Sequence, residues 1–222
     1  MRIREVAITT THLDAVAEFY RDTLQLPVMV EPDRATVEIG LSKLVVTRGA
    51  PHEGGHHLAF DISPNDFDRA RHWLSERVEP LTVNGSDTID GPPGWDSRSV
   101  YFRGPDNILL ELIARQFHSA APATPSDPPR LLSISEVGIA VPDVQQAVRD
   151  LAETYGLQAF TPQLPTFTPV GDHDGLLILV APERIWFPTE ADRPAHAPVT
   201  VHIDAPQRGG KVALTANAGI EG

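Results

Sequence analysis

The chain has 222 residues, 41% hydrophobic and 22% charged, an ordinary balance for a globular protein able to bury a core. Its formal net charge is −12 with no dense Lys/Arg cluster, so a nucleic-acid backbone would be repelled, and it has no cysteine, which excludes disulfides, thiolate metal sites and cysteine nucleophiles. No apolar run is long enough to span a bilayer, and the N-terminal MRIREVAITTTHLD lacks the apolar stretch of a secretory leader, so a cytoplasmic protein without membrane contact is expected.

Three segments open alike. Residues 4–10 (REVAITT) precede a helical stretch over 13–24, residues 56–62 (HHLAFDI) precede one over 67–76, and residues 135–141 (SEVGIAV) precede one over 144–155. Each strand gives way to a helix at a start signal: Thr11 with Asp14 three residues on, Ser63 followed by Pro64 and Asp66, and Asp143 with Gln146 three residues on. Gly156 supplies a C-cap for the third helix.

Short β-type runs follow each helix. They cover 28–31, 35–39 and 43–47 in the first unit, 80–83, 99–103 and 108–114 in the second, and 158–161, 167–170 and 176–180 in the third. Turn residues separate them, among them Gly40, the Gly104-Pro105-Asp106-Asn107 stretch and Gly171. The predicted fold class is therefore α+β, built of tandem βαβββ modules. Glu5 and Glu136, Leu26 and Leu157, and Gly40 and Gly171 are each 131 positions apart, an offset that indicates internal duplication.

A Pro/Ala/Ser-rich stretch over 119–130 reads as a linker. It divides a complete two-module domain over 1–118, expected to carry the site, from a degenerate third module with remnant strands over 131–222, expected to serve dimerisation or to form a lid. A fourth unit offers one opening strand over 199–204. One short strand is read over 211–215, and the end of the tail reads as loosely ordered.

The faces of the opening strands carry the chemistry. Val6 and Ile8, then Leu58, Phe60 and Ile62, then Val137, Ile139 and Val141 form bulky faces that must pack on helices. The opposite faces carry small residues plus ionisable groups, Glu5, His57 (with Asp61) and Glu136, as the floor of a ligand cleft requires.

Three motifs then carry a resemblance. The helix end Phe19-Tyr20-Arg21-Asp22-Thr23-Leu24-Gln25-Leu26, the strand His57-Leu58-Ala59-Phe60 and the hairpin Phe102 to Leu112 (FRGPDNILLEL) resemble FYxxxLGL, HxAF and FRDPDGNLLEL of the vicinal-oxygen-chelate superfamily. That superfamily includes glyoxalase I, fosfomycin-modifying thiol transferases, extradiol dioxygenases, methylmalonyl-CoA epimerase and bleomycin-binding resistance proteins. Gln25 and Asn107 stand where the motifs have glycine, and asparagine tolerates the left-handed turn. The resemblance is close over 3–115 and weaker over 133–204.

The resemblance implies a cupped sheet in which the first two modules bring Glu5, His57 and Glu111 together around one divalent cation. Imidazole nitrogen and carboxylate oxygen suit Mn, Fe, Co, Ni or Zn. Many metal-dependent relatives carry histidine on the first strand, where this chain has Glu5, so the two-His, one-carboxylate iron triad is absent there. Glu5 or Glu111 could also act as a general base. Tyr101 and Arg103 share one strand face, and Arg103 could hold a substrate carboxylate or lie at the surface; Trp95 could wall the cleft or pack an ordinary loop. His57 could be a hydrogen-bonded strand histidine, Glu111 could be exposed, and Glu5 could pair with Arg2, Arg4 or Arg103. Trp186 reads as core, and Thr200 stands where His57 would repeat.

The expected function is redox-neutral, metal-assisted chemistry (lyase, isomerase or transferase) on a small oxygen-rich molecule, by a homodimer. The alternatives are a non-catalytic drug-binding resistance protein and a ring-cleaving dioxygenase.

Overall fold

The computed structural model describes residues 1–119, 121–123, 128–207 and 209–222, so residues 120 and 124–127 of the expected linker lie outside the described residues. The first module consists of β1 (Arg2–Thr10), α1 (Leu13–Glu18), β2 (Val28–Glu31), β3 (Arg34–Ile39) and β4 (Ser42–Arg48). The second consists of β5 (His57–Ile62), α2 (Phe67–Ser75), β6 (Ile89–Asp90), β7 (Ser97–Arg103) and β8 (Leu109–Arg115). The third has β9 (Leu131–Ala140), α3 (Val144–Tyr155), β10 (Phe167–Asp172) and β11 (Gly175–Val180), and the fourth β12 (Val199–Asp204), β13 (Lys211–Ala213) and β14 (Ala218–Glu221). Among the described residues, no helix is long and apolar enough to cross a membrane.

The local signals act as their chemistry dictates at two helices. Asp143 accepts the Gln146 N–H at 2.8 Å, Ser63 accepts that of Asn65 at 3.2 Å, and Gly156 closes α3 at φ +70°. Thr11 does not cap α1, because the Thr11 N–H is drawn to Asp106 at 3.1 Å and its hydroxyl to His12. After Glu18 the first helix widens over Phe19–Thr23, where the Leu24 N–H reaches back five residues to the Phe19 carbonyl. Gln25 (φ +53°) and Asn107 (φ +59°) take left-handed backbone, the conformation for which the motifs use glycine. Two expected strands shrink to single bridges, Pro80 with Phe102 and Ala159 with Val170, and Ile89–Asp90 forms the short edge instead.

Two seven-stranded sheets result, in the orders β13-β14-β12-β1-β4-β3-β2 and β10-β11-β9-β5-β8-β7-β6. The first module therefore pairs with the fourth and the second with the third; the first two modules do not share a sheet. The periodicity of the opening strands is the same under either pairing, so it could not choose between them. Residues 1–118 accordingly supply four of the seven strands of each sheet, and not a sheet of their own. The tail is likewise more structured than expected: β14 lies parallel to β12, with Ile220 fully buried.

The bulky strand faces meet the helices in one core. Val6, Ile8, Leu58, Phe60, Val137 and Ile139 are buried there with Val16, Tyr20, Phe67, Leu74, Val148 and Leu151, each apolar side chain of this size contributing about 1.5–3 kcal/mol when fully buried. A smaller apolar cluster of Trp95, Leu109, Leu176, Ile178, Val180 and Trp186 lies apart from that core, on the small-residue face of the second sheet.

Candidate metal centre

On that face three strands converge. β8 alternates so that Leu110 and Leu112 enter the main core, while Leu109, Glu111, Ile113 and Arg115 face the other way. β5 presents His57 on the same side and β9 presents Glu136. The side-chain donors of His57, Glu111 and Glu136 lie within 4.8 Å of one another, and all three residues are buried. His57 Nε2 is 3.6 Å from Glu111 Oε2 and 3.9 Å from Glu136 Oε2.

Each donor is held in place by a neighbour. His57 Nδ1 faces the Leu109 carbonyl at 3.3 Å, so Nδ1–H donates there and Nε2 is turned to the carboxylates, the arrangement metal-binding histidines use. Arg115, with no exposed surface, pairs through Nη2 with Glu136 Oε1 and donates from Nε to Ser135 Oγ at 3.2 Å. Glu111 Oε2 has no hydrogen-bond partner. A Cβ on Gly138 would stand 2.5 Å from the Trp186 indole and 3.0 Å from His57 Cβ, so only glycine lets that indole close over the imidazole. Trp186 Nε1–H donates to the Gly55 carbonyl at 2.9 Å and fixes the ring.

The electrostatics describe a cluster with surplus negative charge. Burial and the neighbouring Glu136 charge push Glu111 up to about 7, against the opposing pull of His57. Burial would lower His57, but its hydrogen bond to Glu136 and the charges of both carboxylates outweigh it and raise it. Burial would raise Glu136, but His57 and Arg115 hold it below the usual range. Burial and the Glu111 charge keep the Tyr101 hydroxyl well above its usual value, hence neutral.

The donor set fits a divalent ion. Bonds of about 2.1 Å place neighbouring ligands about 3–3.5 Å apart, so a spacing of up to 4.8 Å would close by at most about 1.3–1.8 Å to seat one. The internal symmetry also shows where the set is open. Glu111 pairs with Ala59, two residues beyond His57, and the matching position two residues beyond Glu136 is Gly138, which pairs with Ile178. Ile178 therefore stands where a fourth ligand would fall, and apolar space takes its place.

Several expected site residues are placed otherwise. Glu5 lies in the other sheet, opposite His202 on β12, with His202 Nε2 3.9 Å from its carboxylate. It does not join His57 and Glu111; Glu136, its counterpart 131 positions on, does. Arg103 is exposed and engaged by Asp192 and by Asn107 Oδ1 at 3.0 Å, outside the cavity that His57, Glu111 and Glu136 line. Tyr101 and Trp95 do line it, as does Trp186, which had read as core alone. Arg115 carried no motif; Glu136 was marked by the 131-residue offset and by its place on the small-residue strand face, but not as a partner of His57 and Glu111.

Two complete βαβββ modules and two reduced ones, with a His/Glu/Glu cluster on the inner face of one sheet, define a protein of the vicinal-oxygen-chelate type. The profile of the Glyoxalase/Bleomycin resistance protein/Dioxygenase superfamily matches residues 2–112, and the chain belongs to that superfamily. A metallothiol transferase FosB of Staphylococcus haemolyticus is 28% identical over 117 residues, which is 50% of this chain and 81% of that protein. A putative dioxygenase of Bacillus subtilis superposes with a TM-score of 0.62 at 12% identity, over 92% of this chain and 70% of its own. Glyoxalase I of Zea mays, as a V278E mutant, superposes with 0.55 at 17% identity, over 90% and 74%. The two structural likenesses are of fold, and they extend over nearly the whole chain.

Proposed function

We propose that the chain is a metalloenzyme that performs redox-neutral lyase, isomerase or transferase chemistry on a small oxygen-bearing molecule, with His57, Glu111 and Glu136 holding a divalent ion. The observation that carries this reading is the convergence of three buried donors at the floor of a cavity, one of them an oxygen without a hydrogen-bond partner. A bound divalent ion would supply Lewis-acid polarisation of a substrate oxygen. Arg115 orients Glu136, the Leu109 carbonyl orients His57, and Trp95 and Trp186 keep water from the floor. Glu111 is the carboxylate best placed to exchange a proton with a substrate held there. The site is complete within one chain, so a homodimer would not be needed to build it.

The set has one imidazole and two carboxylates, the reverse of the triad that activates oxygen at non-haem iron. That favours redox-neutral chemistry over ring cleavage. Elemental analysis of protein purified without chelator tests the reading: about one divalent ion per chain is expected, lost in His57→Ala and kept in Glu5→Gln. Wild-type protein that stays empty after addition of Mn, Zn, Ni and Fe would remove the metalloenzyme reading. Catechol-dependent oxygen uptake by Fe(II)-loaded protein would overturn its redox-neutral part.

A further inference from the structure

The walls of the cavity indicate what enters it. Its volume is about 360 Å³, within the range of small-molecule pockets and room for one ring with a short side chain. Trp95, Tyr101, Phe167, Trp186 and Phe187 line it. The Tyr101 ring lies 6.3 Å from the His57 imidazole and 6.0 Å, edge to face, from Phe187, so flat apolar surfaces surround the cluster.

One cation stands free in this wall. Arg184, half-buried, stacks its guanidinium carbon 4.6 Å from the Phe167 ring centroid. Among the described residues its side chain has no ion pair and no hydrogen bond, whereas Arg115 is taken up by Glu136 and Ser135. Stacking covers the face of a guanidinium and leaves its edge of N–H donors open, and that edge matches a carboxylate. Burial lowers the Arg184 pKa, as it does for a cation that loses water and gains no partner.

Charge points the same way. With a divalent ion at the floor, Glu111 and Glu136 balance it, and Arg115 and Arg184 remain as positive charge; Asp90, exposed at the rim, is the opposing group. In a chain of net charge −12 the cavity would then be a local basin for anions. We propose that the site takes an aromatic carboxylate, its ring between the indole and phenyl walls and its carboxylate gripped by Arg184, which makes Arg184 the specificity-determining residue. This deepens the metalloenzyme reading and rests on it for what happens at the floor.

The test uses the fluorescence of Trp95 and Trp186 during titration with phenylacetate, phenylacetamide and phenethylamine, run on metal-loaded and chelator-treated protein. Charge-assisted hydrogen bonds predict that wild-type protein binds the acid roughly tenfold to a hundredfold more tightly than the amide. Arg184→Gln, confirmed folded by circular dichroism, should lose that difference while its metal content stays unchanged, and Arg184→Lys should restore part of it. Equal binding of acid and amide, or tighter binding of the amine through Asp90, would overturn the proposal. So would an acid preference that survives in Arg184→Gln, because the carboxylate would then be held elsewhere. A protein that binds no metal would fail the metalloenzyme reading alone, since the acid–amide difference and its dependence on Arg184 are still read in that protein.

Discussion

Arg115 determines what Glu136 has left to offer. With Oε1 occupied by the buried guanidinium, the other carboxylate oxygen is the one turned to His57. The pair is fully desolvated, and removing one member of such a pair costs far more than the pair contributes, because the survivor stays buried as an unpaired charge. Glu136→Ala should therefore lower stability by about 3–5 kcal/mol, read as the urea midpoint at constant slope, and should abolish metal binding. Glu136→Gln keeps an acceptor for Arg115 and loses the anionic donor, so it should bind no metal at a smaller stability cost. If Glu136→Gln retains a full complement of metal, Glu136 is not a ligand. Arg115 itself could not be read from the sequence, since it ends an apolar run and only the fold shows that it faces inward.

Two devices tie the strands together in ways no periodicity shows. Asp61 on β5 is ion-paired with His118 just after β8 at 2.6 Å, and His118 reaches Asp174 in the β10–β11 turn at 3.3 Å. The Asp61 partnership raises the His118 pKa against its partial burial. A raised folded pKa means that the stabilisation is fully present below the unfolded value of about 6.5 and is lost as pH rises through the folded value. Thermal stability should accordingly decline as pH rises above that unfolded value, with His57 and Glu111, both also raised, adding to the decline, and His118→Gln should reduce its slope; an unchanged slope in the variant would refute the assignment. At the other end of the chain, Tyr155 of α3 directs its hydroxyl at the Ile220 carbonyl (2.8 Å) and the Gly210 carbonyl (2.5 Å), which anchors β14. Ending the chain after Ala216 would leave that hydroxyl without one acceptor and bare the β12 edge. The melting temperature should fall while metal stoichiometry is kept, because β14 belongs to the sheet without the site; a melting curve identical to the intact chain would show that the strand contributes nothing. Helices and most strands were legible because their capping residues and alternation are local. β14 was missed because Ala-Gly-Ile-Glu has neither length nor alternation, and its placement depends on a tyrosine more than sixty positions away.

Duplication makes both sheets variants of one plan, and the comparison explains why chemistry gathers on one. In the first sheet Glu5 corresponds to Glu136, Thr200 to His57, and Glu221, which pairs with His202, to Glu111. Threonine replaces the central imidazole, and Lys211 sits 3.0 Å from Glu221 and neutralises it. Among the described residues, the one cluster with metal-ligand spacing is in the second sheet. The modules, His57 and Glu111 could be read in the sequence because each belongs to a short motif. The partner carboxylate could not, because Glu5 and Glu136 occupy equivalent positions and the choice between them is made by which strands pair. That choice has a direct consequence for the divided chain. β5 and β8 bring His57 and Glu111, while β9, on the far side of the Pro/Ala-rich stretch, brings Glu136. A fragment of residues 1–118 should then expose the β5 and β1 edges and bind no stoichiometric metal. Residues 131–222 alone should bind none either. Co-expressed, the two should associate through the β1–β12 and β5–β9 pairings and recover metal binding, because most of the contacts that build the site are between strands and not along the linker. Size-exclusion chromatography with elemental analysis of each preparation decides it. Stoichiometric metal in the 1–118 fragment alone would mean that the site is built within the first two modules and that the pairing of the second with the third does not make it.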